Sequence, residues 1–405
     1  MQLELPARSA DAAVNHPPAA WGAVWALALG AFALIASEFM PVSLLTPIAA
    51  DLGITEGQAG QAIAISGAFA LVTSLLFPLL AGRTDRKLLL AGLALLMIVS
   101  GTLVAFAPGY GLFMAGRALI GVAIGGFWSM SAAIAMRLVP AARVGRALAI
   151  LNGGNALATV LAAPAGSYLG AVVGWRGAFF CVVPVAAIAL AWKLASLPRL
   201  PAVHEGAARH PFGLLRRPAV ALGLAAIGVF FMGQFALFTY LRPFLERVTG
   251  VDVSTLSLLL LLVGVAGFVG TGVIGAVLKG GLYRVLAGIP ALMAALALAL
   301  SVFGGSLSAT AVLLAIWGLV ATAAPVGWWM WLSATLPDQA ELGGGLMVAV
   351  IQLAIMLGAT VGGLLFDTSG YRATFGASAG LLVLAAVLAL LAARAAPSHR
   401  VKETS

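Results

Sequence analysis

Two charged side chains stand inside long apolar stretches of this chain, and their types suit proton chemistry. Glu38 falls within the apolar segment 21–45 and Arg117 within 111–135. A charge at membrane depth costs about 3 kcal/mol or more, so it is retained for a partner or a task. A buried carboxyl responds in opposite directions to burial and to a nearby cation, which makes it a sensitive proton-binding group. Glu38 follows the start of its segment by 17 residues, or ~25 Å along a helix. Arg117 follows the opposite end of its own segment by about 6 residues, so on helical geometry the two depths match. An ion pair between them has two readings: a proton-sensitive couple, or a structural pair with no further task.

Other polar and aromatic groups in apolar segments are candidates for holding a solute. Trp128 lies 11 residues after Arg117, close to three helical turns, which puts both on one face within ~20°. An indole there suits stacking on a flat ring, and packing between helices explains it equally well. Gln234 and Phe238 share a face at i, i+4. Gln234, Asn152, Asn155 and Gln352 suit hydrogen bonds to a polar solute or, alternatively, bonds between helices. Of the clustered Trp328, Trp329 and Trp331, at least two read as interface anchors, since aromatic belts sit at that level. Trp328 is the cavity candidate, because it aligns with Trp128 across the internal repeat described below.

These residues need elements to position them, and composition says which. The chain has 405 residues, 62% hydrophobic and 9% charged, against about 25% charged in soluble domains. Mean hydropathy is +1.10. The expected class is an all-α membrane protein. A helix needs about 20 apolar residues to cross the hydrocarbon core, and that template fits twelve spans: 21–45, 58–82, 88–107, 111–135, 144–172, 177–196, 218–242, 254–278, 285–303, 308–332, 342–366 and 373–394. With the N-terminus inside, four of the 22 Lys and Arg (Arg176, Arg242, Arg247, Arg372) fall outside and Arg117 falls within the membrane. The remainder, Lys193 among them, lie on the inner side, so both termini are expected in the cytoplasm.

The longest inner loop divides the chain. Expected units are a tail 1–20, a six-helix bundle 21–196, a linker 197–217, a second six-helix bundle 218–394 and a tail 395–405. The halves echo each other: Gly174-Trp175-Arg176 returns as Gly370-Tyr371-Arg372, preceded by Pro140 and Pro337 at nearly equal spacing. Two six-span repeats of the same orientation are the parallel-repeat pattern of secondary transporters.

The net charge of +9 does not point to nucleic acid, because the basic residues sit at helix ends rather than in a surface patch. An enzyme is disfavoured. His16, His204, His210 and His399 all fall in tails or the central loop, no span offers a metal-ligating cluster, and no P-loop is present. No cofactor is expected, with H⁺ as the coupling ion. The lone Cys181 reads as a buried thiol.

The residues quoted next carry a resemblance. Glu38-Phe39-Met40-Pro41-Val42-Ser43 in span 1, Gly116-Arg117-Ala118 and Gly125-Gly126-Phe127-Trp128-Ser129 in span 4, Gly233-Gln234-Phe235-Ala236 in span 7, Pro325-Val326-Gly327-Trp328 in span 10 and Ile351-Gln352-Leu353 in span 11 are similar to the major facilitator superfamily. Within it the chain resembles the twelve-span drug/proton antiporters, and among those the purine ribonucleoside efflux pumps. The loop Gly82-Arg83-Thr84-Asp85-Arg86-Lys87 is a shortened form of the superfamily's loop, and Gly154, Pro164, Gly166 and Gly170 keep part of the antiporter motif of span 5. The resemblance implies a major facilitator fold of two six-helix parallel repeats working by alternating access. It implies coupling through Glu38 and Arg117, and a solute site among Trp128, Asn152, Asn155, Gln234, Phe238, Trp328 and Gln352. Gating falls to Asp85 and Arg86, tying span 2 to span 11 at the inner face; Pro164, which kinks or ends its span, is read as a gating residue or as packing alone. It further implies efflux of a purine nucleoside such as inosine or guanosine across a bacterial inner membrane by a monomer in contact with lipid. A broader drug or sugar exporter and a membrane sensor stay open as alternatives.

Overall fold

Long apolar runs have one open-ended solution in lipid, the helix, which satisfies its backbone groups internally. The computed structural model describes residues 19–82, 84–140, 143–201, 211–336 and 339–395. The first helices are α1 (Trp21–Leu52), α2 (Glu56–Ala81), α3 (Arg86–Ala105) and α4 (Tyr110–Arg137). Polar side chains start several of them. Thr55 and Gln58 form a reciprocal capping box on α2, and Asp85 accepts from the Lys87 amide at the start of α3.

Two apolar runs, Val144–Ser196 and Gly343–Ala395, are each 53 residues long. As single helices they would reach ~80 Å against a hydrocarbon core of ~30 Å. Each breaks at one glycine, Gly174 (φ 75°, ψ 163°) and Gly370 (φ 75°, ψ −179°), a conformation that glycine adopts freely. Contacts on either side of each break show the chain doubling back. Gly154 and Lys193 both lie against α1, at Ala28 and Gly30, while Gly362 and Ser378 both lie against α7 (Pro218–Phe238), at Ala236 and Gly233. The passes are therefore α5 (144–173), α6 (175–196), α11 (340–369) and α12 (371–395). Between them run α8 (Val253–Leu278), α9 (Leu282–Phe303) and α10 (Leu307–Thr335). The ten membrane-length apolar helices among the described residues thus account for twelve passes, and the repeated Gly-aromatic-Arg motif is the reversal in each half.

Buried apolar side chains form two cores, one from α1–α6 and one from α7–α12. They exchange a few members at the seam: Val42, Ile63, Ala64 and Ala163 pack into the second core, Tyr240 and Phe366 into the first. We call the end that carries the start of α1 the inner end. Among the described residues, the polar side-chain contacts between the halves all lie toward the outer end. The Asp367 carboxylate accepts from Thr55 Oγ1 at 2.6 Å and from the Gly57 amide at 3.0 Å, so α11 caps α2 across the seam. Thr360 donates to Gln61 at 3.1 Å, Arg247 pairs with Glu56, and Arg242 donates to the Ser43 carbonyl.

Several expectations need correcting. Asp85 and Arg86 do not reach α11 in the described residues. Asp85 accepts from the Leu200 amide at 3.1 Å, and the Arg86 amide donates to the Leu200 carbonyl at 2.9 Å. Both are thus engaged by the segment that follows α6; the side chains at 340–342, at the inner start of α11, lie outside the described residues. Lys193 is not an inner-loop charge: it is 2% exposed. Trp331 is no interface anchor, since it packs fully buried against Gly223 of α7, whereas Trp329 is exposed. Cys181 is exposed, because it sits on the outward side of α6. Residues 1–18, 202–210 and 396–405, with Arg83, Pro337 and all four histidines, lie outside the described residues.

Gly370→Ala puts a Cβ on a positive-φ extended backbone that is essentially glycine-only and is expected to destabilise by roughly 1–3 kcal/mol. Gly376→Ala, in an ordinary helical turn with open space around it, is expected to be neutral or stabilising by up to about 1 kcal/mol. Thermal unfolding of the detergent-solubilised variants separates the two.

Candidate functional site

Pro41 interrupts α1 beside Glu38. Having no N–H, it leaves the Ser37 carbonyl without its helical donor. Arg117, fully buried on α4, supplies the missing one: Nη1 donates to Ser37 O at 2.7 Å. Its remaining donors go to Glu38 O at 2.9 Å, Ala62 O at 3.1 Å and Ser66 Oγ at 3.3 Å. One guanidinium therefore joins α1, α2 and α4, and three of its four acceptors are backbone carbonyls. The close fit depends on Gly121, one turn along α4, where a Cβ would stand 2.2 Å from the Ser66 carbonyl.

This geometry revises the expected ion pair. Arg117 meets Glu38 through the main chain. Among the described residues no Lys or Arg nitrogen approaches the Glu38 carboxylate within salt-bridge distance; the ion pairs present are Arg176–Asp51, Arg242–Glu246 and Arg247–Glu56. The carboxyl instead faces the Gln352 carboxamide of α11, in the other half. Gln352 Nε2 is buried without a formed hydrogen bond, so the two groups face each other short of bonding geometry. Gly67 of α2 allows the approach, since a Cβ there would lie 3.2 Å from the Gln352 carbonyl. Glu38 itself is 3% exposed and is the one acidic side chain buried among the described residues.

Next to Glu38, Phe39 stacks on Phe235 of α7 across the seam, with ring centroids 5.6 Å apart, and Phe235 meets Phe238 edge-on at 6.1 Å. Gln234 carries a buried Oε1 with no protein hydrogen bond. The other candidates are more scattered. Trp128 is partly buried and edge-on to Phe127 at 5.5 Å. Trp328 is enclosed in the second core, edge-on to Trp331. Asn152 is exposed and spends its amide on Leu148 O, and Asn155 is partly buried. Pro164 frees the Val160 carbonyl in α5, and that oxygen abuts Gly264 of α8 in the other half.

Sequence reasoning missed three participants. Phe39 and Phe235 sit beside singled-out polar residues, but phenylalanine in an apolar run carries no signal of its own. Lys193 lay too near the end of its span to register as a membrane charge. Its Nζ is 5.3 Å from the centre of the Phe127 ring and rests on Gly30, where a Cβ would stand 2.5 Å away.

Arg117→Lys keeps a cation but loses the planar fork that serves several acceptors. It is expected to destabilise by about 2 kcal/mol or more, because buried carbonyls lose their donor. Glu38→Gln keeps both the shape and the main-chain carbonyl, and its melting temperature is expected to stay near that of wild type in the same detergent.

Comparison with known proteins follows the same lines as the geometry. Residues 27–347 match the Major Facilitator Superfamily family. A Transcription regulatory protein OpdE of Pseudomonas aeruginosa is 58% identical over 96% of this chain and 98% of its own length. A Purine ribonucleoside efflux pump NepI of Salmonella paratyphi B is 44% identical over 93% of this chain and 95% of its own. Among solved structures, the nucleoside transporter NupG (D323A mutant) superposes with a TM-score of 0.76 at 13% identity, covering 91% of this chain and 98% of that one, which bears on the fold alone. The twelve passes, their reversal glycines and the family match together make this chain a multi-pass membrane transporter of the major facilitator superfamily.

Proposed function

We propose that the protein exports purine ribonucleosides, such as inosine or guanosine, in exchange for protons by alternating access, across a bacterial inner membrane with both termini in the cytoplasm. One observation carries the reading: Glu38, the one acidic side chain buried among the described residues, stands where the halves meet and faces Gln352 of the opposite half. A neutral carboxyl is both donor and acceptor, and a charged one only accepts. Loading and losing a proton at Glu38 therefore changes what the two halves offer each other at mid-depth. Arg117, bound to carbonyls, holds the α1 main chain around Glu38 in place and contributes a positive field.

For the solute, the Phe39, Phe235 and Phe238 rings beside Glu38 suit a flat base. The unsatisfied Gln234 Oε1 and Gln352 Nε2 supply an acceptor and a donor for base edges or ribose hydroxyls. Trp128, Asn152 and Asn155 belong to the proposed site as wall residues, and Trp328 backs it from within the second core. Pro164, Asp85 and Arg86 are proposed as gating residues. The name of the 44% identical relative supports the solute class.

The name of the 58% identical relative favours a second reading, in which the protein acts as a regulator. Both readings meet one assay. Purified protein in liposomes with an imposed pH gradient is expected to accumulate radiolabelled inosine against its gradient, and Glu38→Gln to lose gradient-driven accumulation by tenfold or more, a factor worth about 1.4 kcal/mol. Inosine binding without flux would favour the regulator. Flux of unrelated drugs or sugars with none of inosine would move the protein to the broader exporters.

A further inference from the structure

The second proline of α1 has an outcome that Pro41 does not share. Pro47 also lacks an N–H, and the carbonyl it frees is that of Ser43. The group that meets this carbonyl comes from the opposite half: Arg242, in the short helix Leu241–Phe244 that follows α7, donates through Nη1. Arg242 is 6% exposed, and its Nε is held by Glu246 at 2.7 Å, one turn on. The arginine is thus oriented on its own element and reaches across the seam to one main-chain oxygen.

We propose that Arg242 is a positioning residue of the transport cycle, latching α1 to the short helix after α7 at the outer end of the seam, and that Pro47 creates its seat. With an N–H at position 47, the Ser43 carbonyl would belong to the helix and Arg242 would have to share it. Proline removes that competitor at the cost of one helical bond in α1, a cost that is the same whether the seam is open or closed, so the charge-assisted bond of Arg242 favours the closed outer seam alone. Opening the seam draws Arg242 away and leaves the carbonyl to whatever water enters. The bond therefore counts only in the outer-closed arrangement, and it biases the equilibrium toward that arrangement by its own strength. This inference rests on alternating access and is independent of which solute moves.

The test reads the seam directly and needs no solute. Ala64 is 5% exposed and packs into the second core across the seam. Ala64→Cys in a Cys181→Ser background reports outer opening by its rate of reaction with a membrane-impermeant maleimide in right-side-out vesicles. Arg242→Met is expected to raise that rate on the order of tenfold, the equivalent of one lost charge-assisted bond. Pro47→Ala is expected to raise it in the same direction. The double variant is expected to exceed the larger single effect only slightly, because both changes remove one contact. Arg242→Lys, with a donor that still reaches, is expected to fall between wild type and Arg242→Met. Unchanged labelling in Arg242→Met, or effects that add in full, would overturn the proposal. If Arg242→Met fails to insert, Pro47→Ala and Arg242→Lys decide it, and wild-type labelling in both overturns it. Failure of inosine flux with the labelling pattern intact would count against the solute alone.

Discussion

In lipid, a carbonyl that loses its helical donor must find another, and that requirement organises this protein. Proline at position 41 creates one such debt inside α1, beside the only buried acid among the described residues. Arg117 meets it from α4 while also reaching α2. The cation is therefore held by geometry rather than by a counter-charge. This leaves the Glu38 carboxyl free of a bonded ion pair, able to change state without dismantling the first half. A direct Glu38–Arg117 salt bridge would have tied every protonation event to the packing of three helices.

The same logic explains why the two halves meet as they do. Two contacts across the seam bring a side chain of one half to main chain of the other, Asp367 at the Gly57 amide and Arg242 at the Ser43 carbonyl, while Thr360–Gln61 and Arg247–Glu56 join side chains. Close approach at Gly57, Gly67 and Gly363 brings α2 and α11 together. Small residues do the work that bulky apolar ones do in water, since lipid gives apolar side chains no reason to prefer each other. Among the described residues the polar seam contacts concentrate toward the outer end.

Much of this was legible in the sequence, for identifiable reasons. Charge at depth is rare, so Glu38 and Arg117 were conspicuous, and their shared depth followed from helical rise alone. The Gly-aromatic-Arg echo marked equivalent points of the repeat, which proved to be the reversals at Gly174 and Gly370. Other features were hidden because they depend on direction rather than type. Helix arithmetic places Arg117 near Glu38 but cannot say that it takes the carbonyl instead of the carboxylate. Lys193 and Arg242 sit near helix ends, where a charge normally turns to water; only packing shows that both point inward. Trp331 occupies a belt position by number and a core position by contact, because Gly223 of α7 leaves room for the indole.

The acceptors at Ser37, Glu38, Ala62 and Ser43 are main-chain oxygens, and any amino acid supplies one. Side chains at those positions can drift over evolutionary time without disturbing the bonds, and no compensating change is asked of Arg117 or Arg242. Methods that infer contacts from correlated substitution will therefore be blind to the joints that hold α1 in place. Their trace in a sequence is one-sided: an arginine and a proline that persist, each apparently alone.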